Sequence, residues 1–479
     1  LVRDFLMKVS VGTSESLQER QYIRETFMSY INQTYQACTE QVFIVNNVAN
    51  VMALVIKHDF PEAWPSAFED LLSLGALGSA GVTVAVRVLA ELDFEVVMFS
   101  ESRTPDEIRH NSIVKDAMRP LMGTIVQFLT ASAFSVDIVG GELSSLCLNT
   151  LSELIGWVDI TLTVNDQVLP QIYGAVLNCH DCASNESGHA EAACLCLLEI
   201  EKKGMDPVDK VKLLSSVNLI ETLARIPFSA DSSDGLEEDM AAVLDVLFLE
   251  LLGCWQVFES HMNLKANNVD QVIAQIQPQS ELRQVGLLAG QQIKLALPLL
   301  MKILTHTEGR VAANVVPSLN KFIQHMKQQF KYQPQNANAV NPLVAVASNF
   351  QDWFFVASDH LNDLLAGIFQ QLQYSEDFYE LYSSTEDIED DEEVAAEMEA
   401  KSQVRKLFVN CCRVYPEICL QMIASVFSSL PQPLYTAPFP VLEASLRMFH
   451  SFGECGPKNL KQELFPNLVA AIHSNEVYR

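Results

Sequence analysis

The chain has 479 residues, 49% of them hydrophobic and 19% charged, which is enough apolar material for a large buried core. Its formal charge of −29, from 31 Lys+Arg against 60 Asp+Glu, argues against indiscriminate adhesion to nucleic acid or anionic lipid and favours basic protein partners. The cysteine count of 11 is odd, and Cys147, Cys194, Cys196 and Cys419 sit among apolar neighbours as small hydrophobes do, which implies a reducing cytosol or nucleus.

The first residues, LVRDFLMKVS, already read as helical without an initiator Met, and Glu476-Val477-Tyr478-Arg479 ends without a tail, so the chain reads as the middle of a longer protein. Lys, Glu, Asn or Gln interrupts every apolar stretch before the ~20 residues needed to span a bilayer, and no membrane insertion is expected. Over 41–57, Ile44, Val48, Val51, Met52 and Val55 share one helical face, with Asn46, Asn47 and Asn50 mostly opposite. That helix stops near Phe60-Pro61, and Trp64-Pro65 opens a second one carrying Phe68, Leu71 and Leu72. Further helices are predicted at 81–99, 106–130, 141–157, 166–178, 188–203, 206–226, 236–259, 280–305, 309–330, 340–373, 396–413, 415–429, 438–453 and 459–474. Pro298 is expected to kink the one that carries Ile293, Leu297, Leu300, Met301 and Leu304.

The stretch LLEIEKKGMDPVDKVKLL, from Leu197 to Leu214, shows the punctuation most clearly. Lys202 and Lys203 suit the negative end of a helix, and Gly204 is expected to supply a left-handed stop. Asp206 is placed to cap the next helix, and Pro207 presets its first turn. No segment joins period-two alternation to an Asn-Gly or Asp-Gly turn, so no sheet is expected. Helix pairs start roughly 40–47 residues apart, the HEAT/armadillo period. The fold class is therefore all-α, a HEAT-repeat α-solenoid in which antiparallel helix pairs stack into a curved superhelix. Residues 1–373 read as HEAT repeats, 374–399 as an acidic insertion and 400–479 as further repeats.

Candidate chemistry is sparse. Cys179, Cys182, His189, Cys194 and Cys196 crowd together, but one helix cannot aim Cys194 and Cys196 at the same metal, so ordinary packing is expected and no metal or cofactor is assigned. Phosphate-cradling, zinc-protease and nucleophile-elbow motifs do not occur, and His110, His325 and His450 fall within helical segments; no enzymatic activity is expected. Residues 106–119 carry both signs of charge, with Arg109 and Asp116 two turns apart, which fits either a solvated ion-paired face or a partner surface. Lys202, Lys203, Lys210 and Lys212 form the densest basic cluster, explained either by helix capping or by phosphate binding. The acidic run Glu386, Asp387, Glu389, Asp390, Asp391, Glu392 and Glu393 is either a solvated loop or a dock for a basic partner.

Three segments carry a family resemblance. PDEIRHNSIVKDAMR (105–119), GWVDITL (156–162) followed by Asn165-Asp166, and KGMDPVDK (203–210) resemble, in order and spacing, the exportin-T family of the importin-β superfamily. FPEAWP (60–65) is similar to a turn shared across that superfamily. The resemblance implies a karyopherin that binds mature tRNA cooperatively with Ran-GTP, passes the nuclear pore on phenylalanine-glycine repeats, and releases tRNA in the cytoplasm on GTP hydrolysis. It implies a monomer shuttling between nucleus and cytoplasm that reads the shape and backbone of tRNA. It makes Lys202, Lys203, Lys210 and Lys212 candidates for tRNA phosphate and the 386–393 run a candidate for Ran contact or for spacing the repeats. The family's first and last repeats have no counterpart, so this piece alone is expected to bind neither ligand tightly. A karyopherin for basic protein cargo, or a HEAT scaffold unconnected with transport, remains open.

Overall fold

The computed structural model describes residues 14–39, 41–98, 101, 103–135, 141–177, 187–225, 234–263, 281–330, 359–375, 378–379, 392–431, 434–463, 466 and 469. Every regular element among them is helical. The chain divides into two compact units, Leu1–Gly204 and Met205–Arg479.

The first unit contains α1 (Ser14–Thr39), α2 (Val42–Asp59), α3 (Ala67–Ser73), α4 (Ser79–Leu92), α5 (Pro105–Met118), α6 (Met122–Ala133), α7 (Glu142–Ile155), α8 (Leu169–Leu177) and α9 (Ser187–Lys202). Of the residues that predict α2, Val48, Met52 and Val55 are buried, while Ile44 and Val51 are half-buried at the edge of the stripe. A capping box starts α5: Thr104 Oγ1 accepts from Glu107 N at 3.3 Å and the Glu107 carboxylate accepts from Thr104 N at 2.8 Å, with Pro105 at the first helical position.

The repeat period is written in side-chain contacts. Arg87 donates to Asn46 (2.7 Å), Asn50 to Glu91 (3.3 Å) and Lys57 to Glu95 (2.8 Å), with partners 41, 41 and 38 residues apart. Both members of each pair ascend together, so α2 and α4 run parallel, one repeat apart. Between α7 and α9, Ser144 Oγ lies 2.6 Å from His189 Nδ1 and Cys196 Sγ donates to Leu148 O at 3.2 Å, 45 and 48 residues apart. Antiparallel neighbours close the pairs: Ser144, at the start of α7, donates to the Ala133 carbonyl at the end of α6 (2.6 Å). Parallel counterparts at this period, bridged by antiparallel partners, are the HEAT-repeat solenoid architecture.

The second unit contains α10 (Pro207–Val217), α11 (Leu219–Leu223), α12 (Asp234–Asn263), α13 (Glu281–Leu304), α14 (Gly309–Asn314), α15 (Val316–Phe330), α16 (Asp359–Leu372), α17 (Glu392–Val414), α18 (Pro416–Ser429), α19 (Phe439–Cys455) and α20 (Lys458–Glu463). Its core is built on Phe248, Trp255, Phe258, Phe322 and Phe408, all fully buried. Arg405 in α17 reaches Ser451 (3.0 Å) and Glu454 (2.6 Å) of α19, 46 and 49 residues on.

Several expectations are corrected. The 106–130 helix is split by a 3-10 turn at Arg119–Leu121, where Pro120 has no N–H to donate. The 206–226 helix is split at Asn218, which adopts the left-handed conformation (φ 58°) that asparagine tolerates better than most residues. Gly204 is not left-handed: of the described glycines Gly78 alone has positive φ (81°), and α9 simply ends at Lys202. α17 starts at Glu392, four residues before the predicted 396, and α13 runs through Pro298 to Leu304 as one helix. Of the predicted 340–373 helix, 340–358 lies outside the described residues. Contrary to the hydropathy reading, Gly235–Ser260 and Gln284–Leu304 are long and apolar enough by composition to cross a membrane, but 61% and 50% of their apolar windows are buried inside the protein.

Candidate nucleic-acid interface

Residues from all three segments that carry the family resemblance meet in the first unit. Trp157, just beyond α7, donates its indole N–H to Asp93 Oδ1 at 2.9 Å. Lys115 Nζ from α5 lies 4.9 Å from the centroid of the same indole, in cation–π range. Lys203 Nζ donates to the carbonyls of Ile155 (2.8 Å), Gly156 (3.1 Å) and Val158 (2.6 Å), satisfying acceptors that the end of α7 leaves without helical partners. Asp159 then caps the next turn by accepting from Thr161 N (3.0 Å) and Thr161 Oγ1 (2.8 Å), and these bonds hold its carboxyl below the usual range.

Electrostatics mark this place as a basic island. Burial lowers the Lys115 pKa, the Arg119 charge lowers it further, and Asp93 and Asp116 oppose. Burial likewise lowers the Lys203 pKa, opposed by Asp159 and reinforced by the charges of Lys115 and Arg119. Lys115, Arg119 and Lys203 thus feel one another's charge, with the carboxylates of Asp93, Asp116 and Asp159 interleaved among them. Arg119 is exposed and paired with Asp116 at 3.2 Å; Lys202 is exposed and paired with Glu199 at 3.4 Å. Exposed pairs of this kind are individually weak, so either cation can exchange its carboxylate for a phosphate.

The four lysines chosen from sequence are not equivalent. Lys202 meets the requirement of exposure. Lys203 directs its ammonium to the carbonyls of Ile155, Gly156 and Val158, at and just beyond the end of α7. Lys210 is buried and pairs with Glu250 at 3.1 Å in the second unit, which takes it out of reach of a phosphate backbone. Lys212, in the same unit, is exposed and paired with Glu281. Arg109 and Asp116 do not pair with each other; Arg109 pairs with Asp106 at 3.3 Å.

Of the acidic run, Glu386, Asp387, Glu389, Asp390 and Asp391 lie outside the described residues, while Glu392, exposed, and Glu393 open α17. Cys179 and Cys182 also lie outside them. Cys194 and Cys196 are buried, and the His189 ring sits edge-on to Phe134, 5.6 Å between centroids. Sequence reading missed Lys115 as a partner of Trp157 and Arg119 as a charge felt by Lys115 and Lys203. The signal was their presence in the resembling segments; their meeting needs chain reversals that spacing does not encode.

A family model described as exportin 1-like protein matches residues 41–197, which span α2 to α9 and include Lys115, Arg119 and Trp157. Exportin-T of Danio rerio is 26% identical over 449 residues, covering 93% of this chain and 41% of that protein. Exportin-T of Homo sapiens is 24% identical over 443 residues, with 92% and 40% covered. Exportin-T of Arabidopsis thaliana is 28% identical over 281 residues, with 55% and 27% covered. The chain thus spans about two fifths of the length of the two animal relatives. Matches across nearly the whole chain, on a framework of parallel helices at the HEAT period, lead to one conclusion: the chain resembles the exportin-T proteins over almost its full length, with an exportin 1-like stretch from 41 to 197.

Proposed function

We propose that this chain is part of a nuclear export receptor that binds mature tRNA cooperatively with Ran-GTP, shuttles through nuclear pores by contact with phenylalanine-glycine repeats, and gives up tRNA in the cytoplasm when GTP is hydrolysed. The observation that carries the reading is the similarity to exportin-T over more than nine tenths of the chain. The receptor acts by binding, as a monomer, without catalysis of its own. tRNA phosphates are met by Arg119 and Lys202, with Lys115 and Lys203 behind them as fixed charge, and separately by Lys212. The acidic run from Glu386 to Glu393 docks on a basic surface of Ran.

The test is gel filtration of the full-length protein with tRNA and GTP-loaded Ran, added separately and then together at near-physiological salt. Co-elution of tRNA only when Ran-GTP is present supports the reading; Ran binding without tRNA binding makes the cargo a basic protein. The Arg119→Glu/Lys202→Glu double variant should weaken tRNA binding at every sequence and reduce the salt slope by about 2, one per lost phosphate contact.

A further inference from the structure

Four cysteines gather where three helices of the second unit end and begin. Cys411 and Cys412 lie in the last turn of α17, Cys419 lies near the start of α18, and Cys455 is the last residue of α19. These helices pack against one another. Cys411, Cys412 and Cys419 are buried, whereas Cys455 is part-exposed. The Cys412 thiol is hydrogen-bonded to both Cys419 and Cys455. The cluster is not a cation cage: no group of three or more His, Cys, Asp or Glu among the described residues is arranged to hold a metal ion.

The two hydrogen-bonded thiols are in opposite electrostatic situations. Burial pushes Cys412 far above the ordinary thiol range. Cys455 is held down to about 7, first by the hydrogen bond from Cys412 and then, against its partial burial, by the charges of Arg413 and Lys461. A solvent-reachable thiolate beside a protonated thiol is the arrangement in which oxidation runs on to a disulfide instead of stopping at the first sulfur.

We propose that Cys455 is a peroxide-oxidation site and Cys412 its resolving partner, so that oxidation links the end of α17 to the end of α19. In the first step the Cys455 thiolate attacks one oxygen of hydrogen peroxide; the O–O bond breaks, hydroxide leaves, and a sulfenic acid forms. In the second, the Cys412 sulfur attacks the Cys455 sulfur; an S–S bond forms, the S–O bond breaks, and the departing hydroxide leaves as water with the Cys412 proton. Two thiols lose two electrons and peroxide is reduced to two waters. The linkage is independent of cargo, and its test does not involve tRNA or Ran.

The reduced full chain is exposed to a few equivalents of hydrogen peroxide at pH 7.5, blocked with N-ethylmaleimide, digested and analysed by mass spectrometry. The expected product is a peptide pair joined through Cys412 and Cys455. Cys412→Ser, which keeps a donor beside Cys455, should accumulate Cys455 sulfenic acid that dimedone traps; Cys455→Ser, at a part-exposed helix end, should lose the disulfide. Lowering the pH to 5.5 should slow the wild-type reaction about tenfold or more as the thiolate fraction falls. Oxidation of Cys455 no faster than the other cysteines, or a disulfide that joins Cys455 to a residue other than Cys412, overturns the proposal.

Discussion

In the first unit, buried carboxylates are met by Arg and Lys, whereas in the second unit several are met by a histidine ring or a backbone N–H. Arg20 and Arg24 reach Asp59 at 3.0 and 3.4 Å, and Lys57 reaches Glu95 at 2.8 Å, all in buried or nearly buried positions. The second unit pairs Lys210 with Glu250 and Lys401 with Glu397, and also sets His306 Nε2 3.0 Å from Glu237, His325 Nε2 3.2 Å from Glu259, and Ser318 N on Asp245 Oδ1 at 2.9 Å. His306 Nδ1 accepts from Glu308 N at 3.1 Å. The lesson is one of fragility. A buried pair of full charges is costly to break by halves, because the survivor stays buried and uncompensated.

The most direct way to break this comparison is Asp59→Ala. It strands Arg20, 5% exposed, without its carboxylate and should cost about 3–5 kcal/mol of local stability. Region-resolved hydrogen exchange should show protection lost in α1 and α2 and unchanged in the second unit; equal losses in both would remove the distinction.

Acidity acts with opposite sign at two buried groups, Asp245 of the second unit and His58 of the first. Burial, opposed by Ser318 and Lys321, raises the Asp245 pKa from 3.8 to about 6. The folded state therefore holds the proton more tightly than the unfolded chain does, and this contribution is full below 3.8 and lost as pH rises through about 6. Asp245→Asn should leave stability near pH 4 unchanged and raise it at pH 7.5 by at most about 3 kcal/mol, read by urea denaturation with region-resolved proteolysis. In the first unit, burial and then the neighbouring charges of His110, Lys57 and Arg20 lower the His58 pKa from 6.5 to about 4. Its contribution is present above 6.5 and lost as pH falls toward 4, so acid works against folding at His58 while it favours folding at Asp245.

The smallest expected effect is at Gly204. Its φ is not in the left-handed region and an added Cβ meets nothing within 4 Å, so Gly204→Ala should change stability by less than about 0.5 kcal/mol. A large loss would restore the left-handed stop that the sequence suggested.

Apolar periodicity located most helices, because Val48, Met52 and Val55, or Leu297, Leu300 and Leu304, bury one face whatever the neighbours are. Charged rungs were harder to read, since a charge in a pattern is ordinarily assigned to solvent. A signal existed nonetheless: Asp59 continues the stripe Val48, Met52, Val55, and Lys210 precedes Leu214 and Val217 on the buried face of α10. Lys203 was beyond reach, because the carbonyls it holds lie 45 to 48 residues upstream and no local spacing points to them. The basic island was legible as three segments and illegible as one place.

α5 is fastened to the repeat stack at two points: His110 Nε2 lies 2.7 Å from the Lys57 carbonyl, and Asn111 donates to the Glu95 carbonyl at 2.9 Å, while Lys57 and Glu95 are themselves paired. This makes a closed triangle between the end of α2, the turn that follows α4 and the middle of α5. In mechanical terms it is a gusset at a corner joint. Load applied to the C-terminal end of α5, where Lys115 sits, is carried along the helix into two neighbours at once, so a pull on this edge bends the repeats instead of peeling a helix away from them.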